Sequence, residues 1–141
     1  MEKRSLPAVL DSLAELRRYA KDAAAEAGID DARSYQLQLA VDEIATNIIS
    51  YGYGDAGASA VIAISSEIGE DALVVTLEDQ APAFDPRTMR TPEATELAKP
   101  LEERNIGGLG IFLAVQGVDR FDYRREGDRN FNIFEVKTHR D

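Results

Sequence analysis

One stretch is more informative about the fold than any other part of the chain: Leu39-Ala40-Val41-Asp42-Glu43-Ile44-Ala45-Thr46-Asn47-Ile48-Ile49-Ser50-Tyr51-Gly52-Tyr53. Its apolar residues recur at helical spacing, which predicts a helix with Ile44 and Ile48 on the buried side. Glu43 and Asn47 are four residues apart, so they share a helix face at the edge of that stripe. We expect them to face a cleft, where a carboxylate can act as a general base and an amide oxygen can bind Mg²⁺. A polar helix edge without function remains the alternative.

A second candidate is Asp79, which ends the hydrophobic run at 72–78 and precedes Gln80-Ala81-Pro82-Ala83-Phe84-Asp85-Pro86. A carboxylate at the end of a predicted strand has two interpretations. It can simply begin a turn, as Asp commonly does. Alternatively, it can accept a hydrogen bond from the amino group of adenine.

The third candidate is Gly107-Gly108-Leu109-Gly110, directly before the apolar run at 111–115. Glycines let a backbone approach phosphate closely, and a helix N-terminus attracts negative charge. The segment is neither a Walker A loop nor a dinucleotide fingerprint, because Gly-Lys-Ser/Thr and a strand-then-glycine βαβ unit are both missing from the pattern. A loop at a helix start without a ligand is the alternative.

Composition narrows the class of protein. The 141 residues, 44% of them hydrophobic, are enough for one domain over 1–141 with a substantial core. The net charge of −10 opposes direct binding to nucleic acid or to anionic membranes, so proteins and small molecules are the expected partners. The sequence has no cysteine, no membrane-length apolar run and no signal-peptide pattern near Met1, and we expect a cytoplasmic protein. The single histidine, His139, lies two residues from the end of the sequence, where we expect a solvated tail, and this position argues against a Ser-His-Asp mechanism.

The apolar periodicities predict the order helix, helix, hairpin, lid, helix, hairpin. The predicted helices cover 7–27 and Asp30 or Asp31 to about Ser50, and the predicted strands cover 60–67, 72–78, 118–125 and 129–137. The proline-containing polar stretch at 86–106 is the candidate lid, because so long a connection is usually functional or mobile. This order implies an α+β fold, a mostly antiparallel sheet with helices on one face.

Taken in order, these segments resemble the ATP-binding fold shared by gyrase, histidine kinases and MutL-type proteins, the GHKL or Bergerat superfamily. More narrowly, the chain is similar to the small anti-sigma-factor serine/threonine kinases of bacteria. Residues 39–53 resemble that family's N-box, 77–86 its first glycine box, and 106–113 with 118–119 its second. The closing Asn130-x-Asn132-Ile133-x-x-Val136-Lys137 fits the last strand, so the resemblance covers nearly the whole chain.

The resemblance implies a two-layer sandwich with a mixed, mostly antiparallel sheet, and it implies roles for named residues. Glu43 would be the catalytic base, Asn47 would hold Mg²⁺, and Asp79 would bind the adenine amine. The remaining ATP contacts would come from the two boxes, at Ala81, Ala83, Gly107, Gly108, Leu109 and Gly110.

The same resemblance implies a function and partners. The chain would bind Mg-ATP, phosphorylate a serine or threonine of an anti-anti-sigma protein of the STAS type, and sequester a sigma factor, thereby regulating transcription. Members commonly form homodimers. The sequence names neither the sigma factor nor the phosphorylated partner, and it leaves the oligomeric state and the triggering signal open.

The first glycine box departs from the family pattern, since Ala81 and Ala83 replace its two glycines. A left-handed backbone costs an L-residue roughly 1–2 kcal/mol. Pro82, however, favours an extended conformation at Ala81, in which alanine fits without strain. We therefore expect altered rather than abolished contact with ATP.

Two other functions stay open at this point. One is a non-catalytic partner-switching module with weak or no ATP turnover, which the two alanines and the polar lid favour. Glu43 favours the kinase, because a pure binding module needs no general base. The other is a sensor ATPase component of another signalling system. A complete histidine kinase is disfavoured, because the sequence shows no histidine phosphoacceptor segment.

Overall fold

The computed structural model describes residues 1–54, 59–88, 111 and 114–138. These residues form one five-stranded sheet in the order β1-β2-β3-β5-β4, in which every neighbouring pair is antiparallel. The strands are β1 (Arg4–Pro7), β2 (Val61–Ile68), β3 (Ala72–Asp79), β4 (Arg120–Glu126) and β5 (Arg129–Lys137). The helices are α1 (Leu13–Glu26) and α2 (Asp31–Asn47), followed by a π-helical segment at Ile48–Tyr53.

The core lies between the two helices and one face of the sheet. Side chains alternate across a strand, and β3 accordingly buries Leu73, Val75 and Leu77 while the residues between them are half-exposed. The same core cluster contains the inward residues of α1 and α2, among them Leu16 and Leu37. The predicted α+β class, with helices on one face of the sheet, is confirmed, but the described strands are all antiparallel, so the expectation of a mixed sheet is wrong for them.

The prediction of a helix from residue 7 is wrong at its N-terminal end. Pro7 is the last residue of β1, an edge strand, where the missing N–H of proline is tolerated. A short 3-10 turn follows at Leu10–Ser12, the Ser12 hydroxyl donates to the Pro7 carbonyl at 2.7 Å, and α1 begins only at Leu13. Leu10, in the 3-10 turn, is 58% exposed and does not belong to the buried face of α1. The four residues of β1 are too few to show a periodic pattern, and the sequence did not predict this strand.

The second predicted helix begins where expected and changes character before its end. Asp30 caps α2, because its side chain accepts a hydrogen bond from the Arg33 N–H at 2.9 Å. The α-helix ends at Asn47 rather than near Ser50, and the chain continues in π-helical conformation to Tyr53. Such π segments are rare and often occur at functional sites. Gly54 ends the segment with φ 56, a conformation that favours glycine.

The remaining boundaries agree with prediction to within about two residues. β2 and β4 are shifted toward the C-terminus relative to the predicted 60–67 and 118–125, and β5 has the predicted bounds. Of the candidate lid at 86–106, Pro86–Thr88 form a 3-10 turn, and 89–106 lie outside the described residues. Within the described ranges, no helix has both the length and the apolar character needed to cross a bilayer.

Candidate functional site

A cavity of about 400 Å³ lies between α2 with its π-helical extension and the ends of β3 and β5. Its apolar wall includes Ile44 and Ile48 from the helix side and Ile111. Its polar side chains are concentrated on the sheet and at the end of α2. An apolar pocket with a few convergent polar groups is the usual form of a small-molecule site.

Among the described residues that line this cavity, Asp79 is the acidic one, and 2% of its surface is exposed. Its Oδ1 accepts hydrogen bonds from the Ala81 N–H and from Asn130 Nδ2, both at 2.9 Å. Its Oδ2 is buried and has no hydrogen-bond partner in the part of the chain that the structure describes. Burial raises the pKa of Asp79 above its ordinary value, although the bonds from Asn130 and Ala81 act in the opposite direction. The carboxyl group is thus held in place by one oxygen and keeps the other available as an acceptor.

Asn130 holds this arrangement together from the neighbouring strand, because it is paired with Asp79 in the β3–β5 ladder. Its Nδ2 also donates to the Ala81 carbonyl at 2.8 Å. Its Oδ1 accepts from the Tyr123 hydroxyl and from Arg125 Nη1. Both ends of the amide are therefore occupied within the protein, and its role is to position Asp79.

Asn47 lines the cavity, and its amide has a defined orientation. Nδ2 donates to the backbone carbonyl of Glu43 at 2.7 Å and lies 3.3 Å from Glu43 Oε1. Because a carbonyl can only accept, the atom facing it is the nitrogen, which leaves Asn47 Oδ1 available to a ligand. Glu43 is half-buried one helical turn earlier and is not among the residues that line the cavity.

The two alanines of the predicted first glycine box fit without backbone strain. Neither Ala81 nor Ala83 has a positive φ, so neither adopts the left-handed conformation that would strain an alanine. Ala81 is buried against the π-helical segment, and a Cβ added to Gly52 would lie only 2.9 Å from the Ala81 Cβ. The methyl group at position 81 is thus accommodated because position 52 has none. Ala83 is exposed, and both alanines line the cavity.

Two aromatic side chains at the cavity are unusually exposed. Tyr51, in the π-helical segment, is 58% exposed, and Phe84, just after the alanines, is 46% exposed. Exposed apolar surface that borders a pocket commonly marks a ligand site. Aromatic faces in this position suit a planar ring, since stacking on a nucleobase is favourable.

The phosphate-binding glycines predicted from the sequence, Gly107, Gly108 and Gly110 together with Leu109, lie outside the described residues. Ile111, the next residue, is helical and buried and lines the cavity. Within the described part of the chain, no group of three or more His, Cys, Asp or Glu is arranged to hold a metal ion. A cation at this site would therefore depend on Asn47 together with oxygens from a ligand and water, the mixed coordination that Mg²⁺ commonly adopts.

Sequence reasoning assigned no separate role to Asn130, Asn132 and Tyr53, although all three shape the site. Asn130 and Asn132 are nearly fully buried on the face of β5 that also carries Phe134 and Val136. The sequence pattern that could have indicated their role is a pair of polar residues, two positions apart, on a strand face that is otherwise apolar. Tyr53 joins the site to the sheet, since Gln80 N–H donates to its hydroxyl at 2.6 Å and that hydroxyl donates to the Val61 carbonyl at 3.0 Å.

These features fit a nucleotide-binding domain, and comparison with known families agrees. The model of the histidine kinase-like ATPase domain matches residues 6–133. The chain belongs to this family, as the resemblance of its sequence motifs predicted.

Among individual relatives, the chain is similar to the serine-protein kinase RsbW of Halalkalibacterium halodurans, with 26% identity over 91 residues. The match covers 64% of this chain and 54% of RsbW, so the chain spans about half the length of this curated relative.

Two solved structures share the fold. One contains the RsbU and RsbW domains of a Mycobacterium tuberculosis protein, with a TM-score of 0.60, 13% identity and coverage of 96% of this chain and 32% of that chain. The other is the SiaB-SiaC complex of Pseudomonas aeruginosa, with a TM-score of 0.52, 13% identity and coverage of 97% and 89%.

Proposed function

We propose that this protein is an anti-sigma regulatory factor that binds Mg-ATP in the cavity and phosphorylates a serine or threonine of an anti-anti-sigma partner. In this proposal residues 1–141 act as one ATPase-like domain, with 86–106 as its lid. The family assignment and the similarity to a serine-protein kinase support the class of activity.

The observation that carries the proposal is the buried Oδ2 of Asp79, which has no hydrogen-bond partner among the described residues and belongs to a cavity with a largely apolar lining. A buried acceptor without a partner costs the free protein stability, roughly 1–3 kcal/mol, unless a ligand supplies a donor. The amino group of adenine is such a donor, and exposed Tyr51 and Phe84 offer aromatic surface to the ring. The residues present therefore fit an adenine nucleotide.

The rest of the ligand would extend toward Asn47, which lines the same cavity. Its amide nitrogen is occupied by Glu43, so its oxygen is the group that would hold Mg²⁺ beside the phosphates. The proposed contacts of the phosphates with Gly107, Gly108, Leu109 and Gly110 follow from the resemblance of the sequence motifs.

In the proposed phosphotransfer, Glu43 accepts the proton of the partner's serine or threonine hydroxyl. The hydroxyl oxygen then forms a bond to the γ-phosphorus, and ADP leaves. Among the described residues, no cation forms an ion pair with Glu43, so its carboxylate is not neutralised in this way.

The second candidate is a partner-switching module that docks without turnover. The position of Glu43 favours it, because this carboxylate does not line the cavity of the protein alone. In either case the proposed partners are a sigma factor and a STAS-type anti-anti-sigma protein, and the proposed location is the cytoplasm. A homodimer remains part of the proposal.

The test is transfer of radiolabelled γ-phosphate from ATP to purified STAS-type proteins encoded in the same genome. We expect one of them to be labelled on serine or threonine only when Mg²⁺ is present. ATP binding and stable partner binding without any label would instead favour the docking module. Absence of both ATP binding and partner binding would overturn the proposal.

A further inference from the structure

The cavity contains a second buried acceptor that the assigned roles leave unused. Asn132 is 2% exposed and lines the cavity, and its Oδ1 has no hydrogen-bond partner among the described residues. It is paired with Leu77 in the β3–β5 ladder, two residues from the Asp79–Asn130 pair and on the same face of the sheet. Asp79 and Asn132 are therefore diagonal neighbours. Diagonal neighbours of this kind are about 7–8 Å apart, within reach of one small ligand group.

Asn130 and Asn132 provide an internal comparison, since they are the same residue type on the same face of β5. The amide of Asn130 is occupied at both ends, by Asp79 and Ala81 on one side and by Tyr123 and Arg125 on the other. The side-chain carbonyl of Asn132 accepts no hydrogen bond from residues 1–54, 59–88, 111 or 114–138. Because an unpaired buried carbonyl lowers stability, an apolar residue would serve the free protein better at position 132.

We propose that Asn132 determines the nucleobase specificity of the site, by accepting the second N–H of the exocyclic 6-amino group of adenine. This inference rests on the proposed binding of an adenine nucleotide. The amine carries two N–H groups, and the cavity offers two buried acceptors without partners, Asp79 Oδ2 and Asn132 Oδ1. A 6-oxopurine presents an oxygen at this position, which would face two further acceptors.

Asn132 and the residues near the phosphates would contact different parts of the nucleotide. Its contribution is made at the base, so it is the same for ATP, ADP and AMP and does not depend on Mg²⁺. Asn47, by contrast, would contribute only through the cation. A merely structural role for Asn132 would change stability without changing the preference among nucleobases.

The first measurement uses the unaltered protein and calorimetric titration with ATP, inosine triphosphate and N6-methyl-ATP, which retains one N–H. We expect N6-methyl-ATP to bind roughly tenfold more weakly than ATP, the usual worth of one hydrogen bond, and inosine triphosphate more weakly still. Equal affinity for ATP and N6-methyl-ATP would overturn the proposal.

The second measurement repeats the titration with Asn132→Leu, which matches asparagine in size and removes the carbonyl. We expect ATP, ADP and AMP to lose affinity by the same factor, roughly tenfold, and the preference for ATP over N6-methyl-ATP to disappear. If the variant kept that preference, the loss with the methyl group would be steric and the proposal would be wrong.

Thermal unfolding without nucleotide gives a readout that does not depend on binding. Asn132→Leu is expected to raise Tm, because an unpaired buried acceptor is removed, whereas Asn130→Leu, the matched variant, is expected to lower both Tm and ATP affinity. A lowered Tm for Asn132→Leu would contradict the inference. If Leu at this position prevented folding, Asn132→Ala would be titrated with the same nucleotides and judged by the same loss of preference.

The outcomes distinguish this inference from the function on which it rests. No binding of any adenine nucleotide by the unaltered protein would overturn both. Normal ATP binding together with an unchanged nucleotide preference in the Asn132 variants would overturn the specificity role alone.

Discussion

Two neighbouring acidic residues on β3 lie on opposite faces of the sheet and in opposite environments. Glu78, on the half-exposed face, forms ion pairs with Lys3 and Arg129. Asp79, on the buried face, forms no ion pair among the described residues and keeps one oxygen without a partner. Burial tends to raise both pKa values, but hydrogen bonds and charges from Lys3 and Arg129 outweigh it at Glu78, whose pKa is lowered. At Asp79 burial dominates and the pKa is raised.

The difference shows how a structural acid can be told from a candidate functional one. The environment of Glu78 satisfies its charge, as Arg87 does for Asp85 and Arg17 for Asp42. Around the cavity, Asp79 is held in place and left partly unsatisfied, so the free protein is less stable than it could be. Strain or unsatisfied groups that persist in a fold are characteristic of sites that bind something.

The largest expected effect is that of Glu43→Gln, which removes the proposed base and retains the size of the side chain. Phosphotransfer should fall roughly 10²–10⁴-fold with little change in ATP affinity, because the base acts only in the chemical step. Initial rates of transfer to the STAS-type partner measure this. The matched control is Asp42→Asn on the same helix, whose carboxylate pairs with Arg17 and should not affect the rate. A normal rate for Glu43→Gln would exclude Glu43 from the mechanism.

The next effect is that of Asp79→Asn on nucleotide binding. The amide replaces an acceptor by a donor opposite the adenine amine, so ATP binding should weaken by about 1–3 kcal/mol, which is roughly fivefold to 150-fold in affinity. Calorimetric titration measures the change, and Glu78→Gln on the adjacent residue serves as the control with unchanged affinity. If Asp79→Asn bound ATP normally, Asp79 would be only a turn residue.

Asp79 and Glu78 should make the stability of the protein depend on pH in opposite directions. The pKa of Asp79 is raised in the folded state, so its contribution is most favourable below the ordinary value of 3.8 and is lost as the pH rises through the folded value. The unaltered protein should therefore lose stability relative to Asp79→Asn as the pH rises from 4, so that the free energy of unfolding of the variant increases relative to that of the unaltered protein. Urea unfolding between pH 4 and 8 tests this, and a difference independent of pH would contradict it.

The smallest effect is expected for Glu78→Gln. Lys3 and Arg129 are each about half-exposed at 50% and 51%, so solvent screens the pairs and their loss should cost only about 0–1 kcal/mol of unfolding free energy. Because the pKa of Glu78 is lowered, its contribution is present above the ordinary value of 4.5 and is lost as the pH falls through the folded value. Urea unfolding at neutral pH measures it; a loss as large as that of a core mutation would mean that the pairs are not screened.

Periodicity predicted the elements that carry long apolar patterns. α2 and β5 were located closely because their buried residues repeat over many positions, and the spacing of Glu43 and Asn47 correctly placed them on one face. β1 was not predicted, because its stability comes from pairing with β2, whose residues are almost sixty positions away in the sequence. The π-helical segment was not predicted either, because local propensity does not distinguish it from the end of an α-helix.

The candidate site was predicted less completely than the fold. Asp79 was identified from its place after a strand, and the tolerance of Ala81 was anticipated from Pro82. Its packing against Gly52 was not predicted, because it depends on how the π-helical segment meets β3. The contrasting states of Asn130 and Asn132 were equally inaccessible, since they arise from hydrogen bonds across three strands rather than from their own positions in the sequence.

The central claim is that this cavity binds an adenine nucleotide together with Mg²⁺. Calorimetric titration of the purified protein with ATP, with and without Mg²⁺, tests it most directly. The account predicts binding in the micromolar range that is strengthened by Mg²⁺ and weakened in Asp79→Asn. No binding at millimolar ATP, with or without the cation, would contradict it.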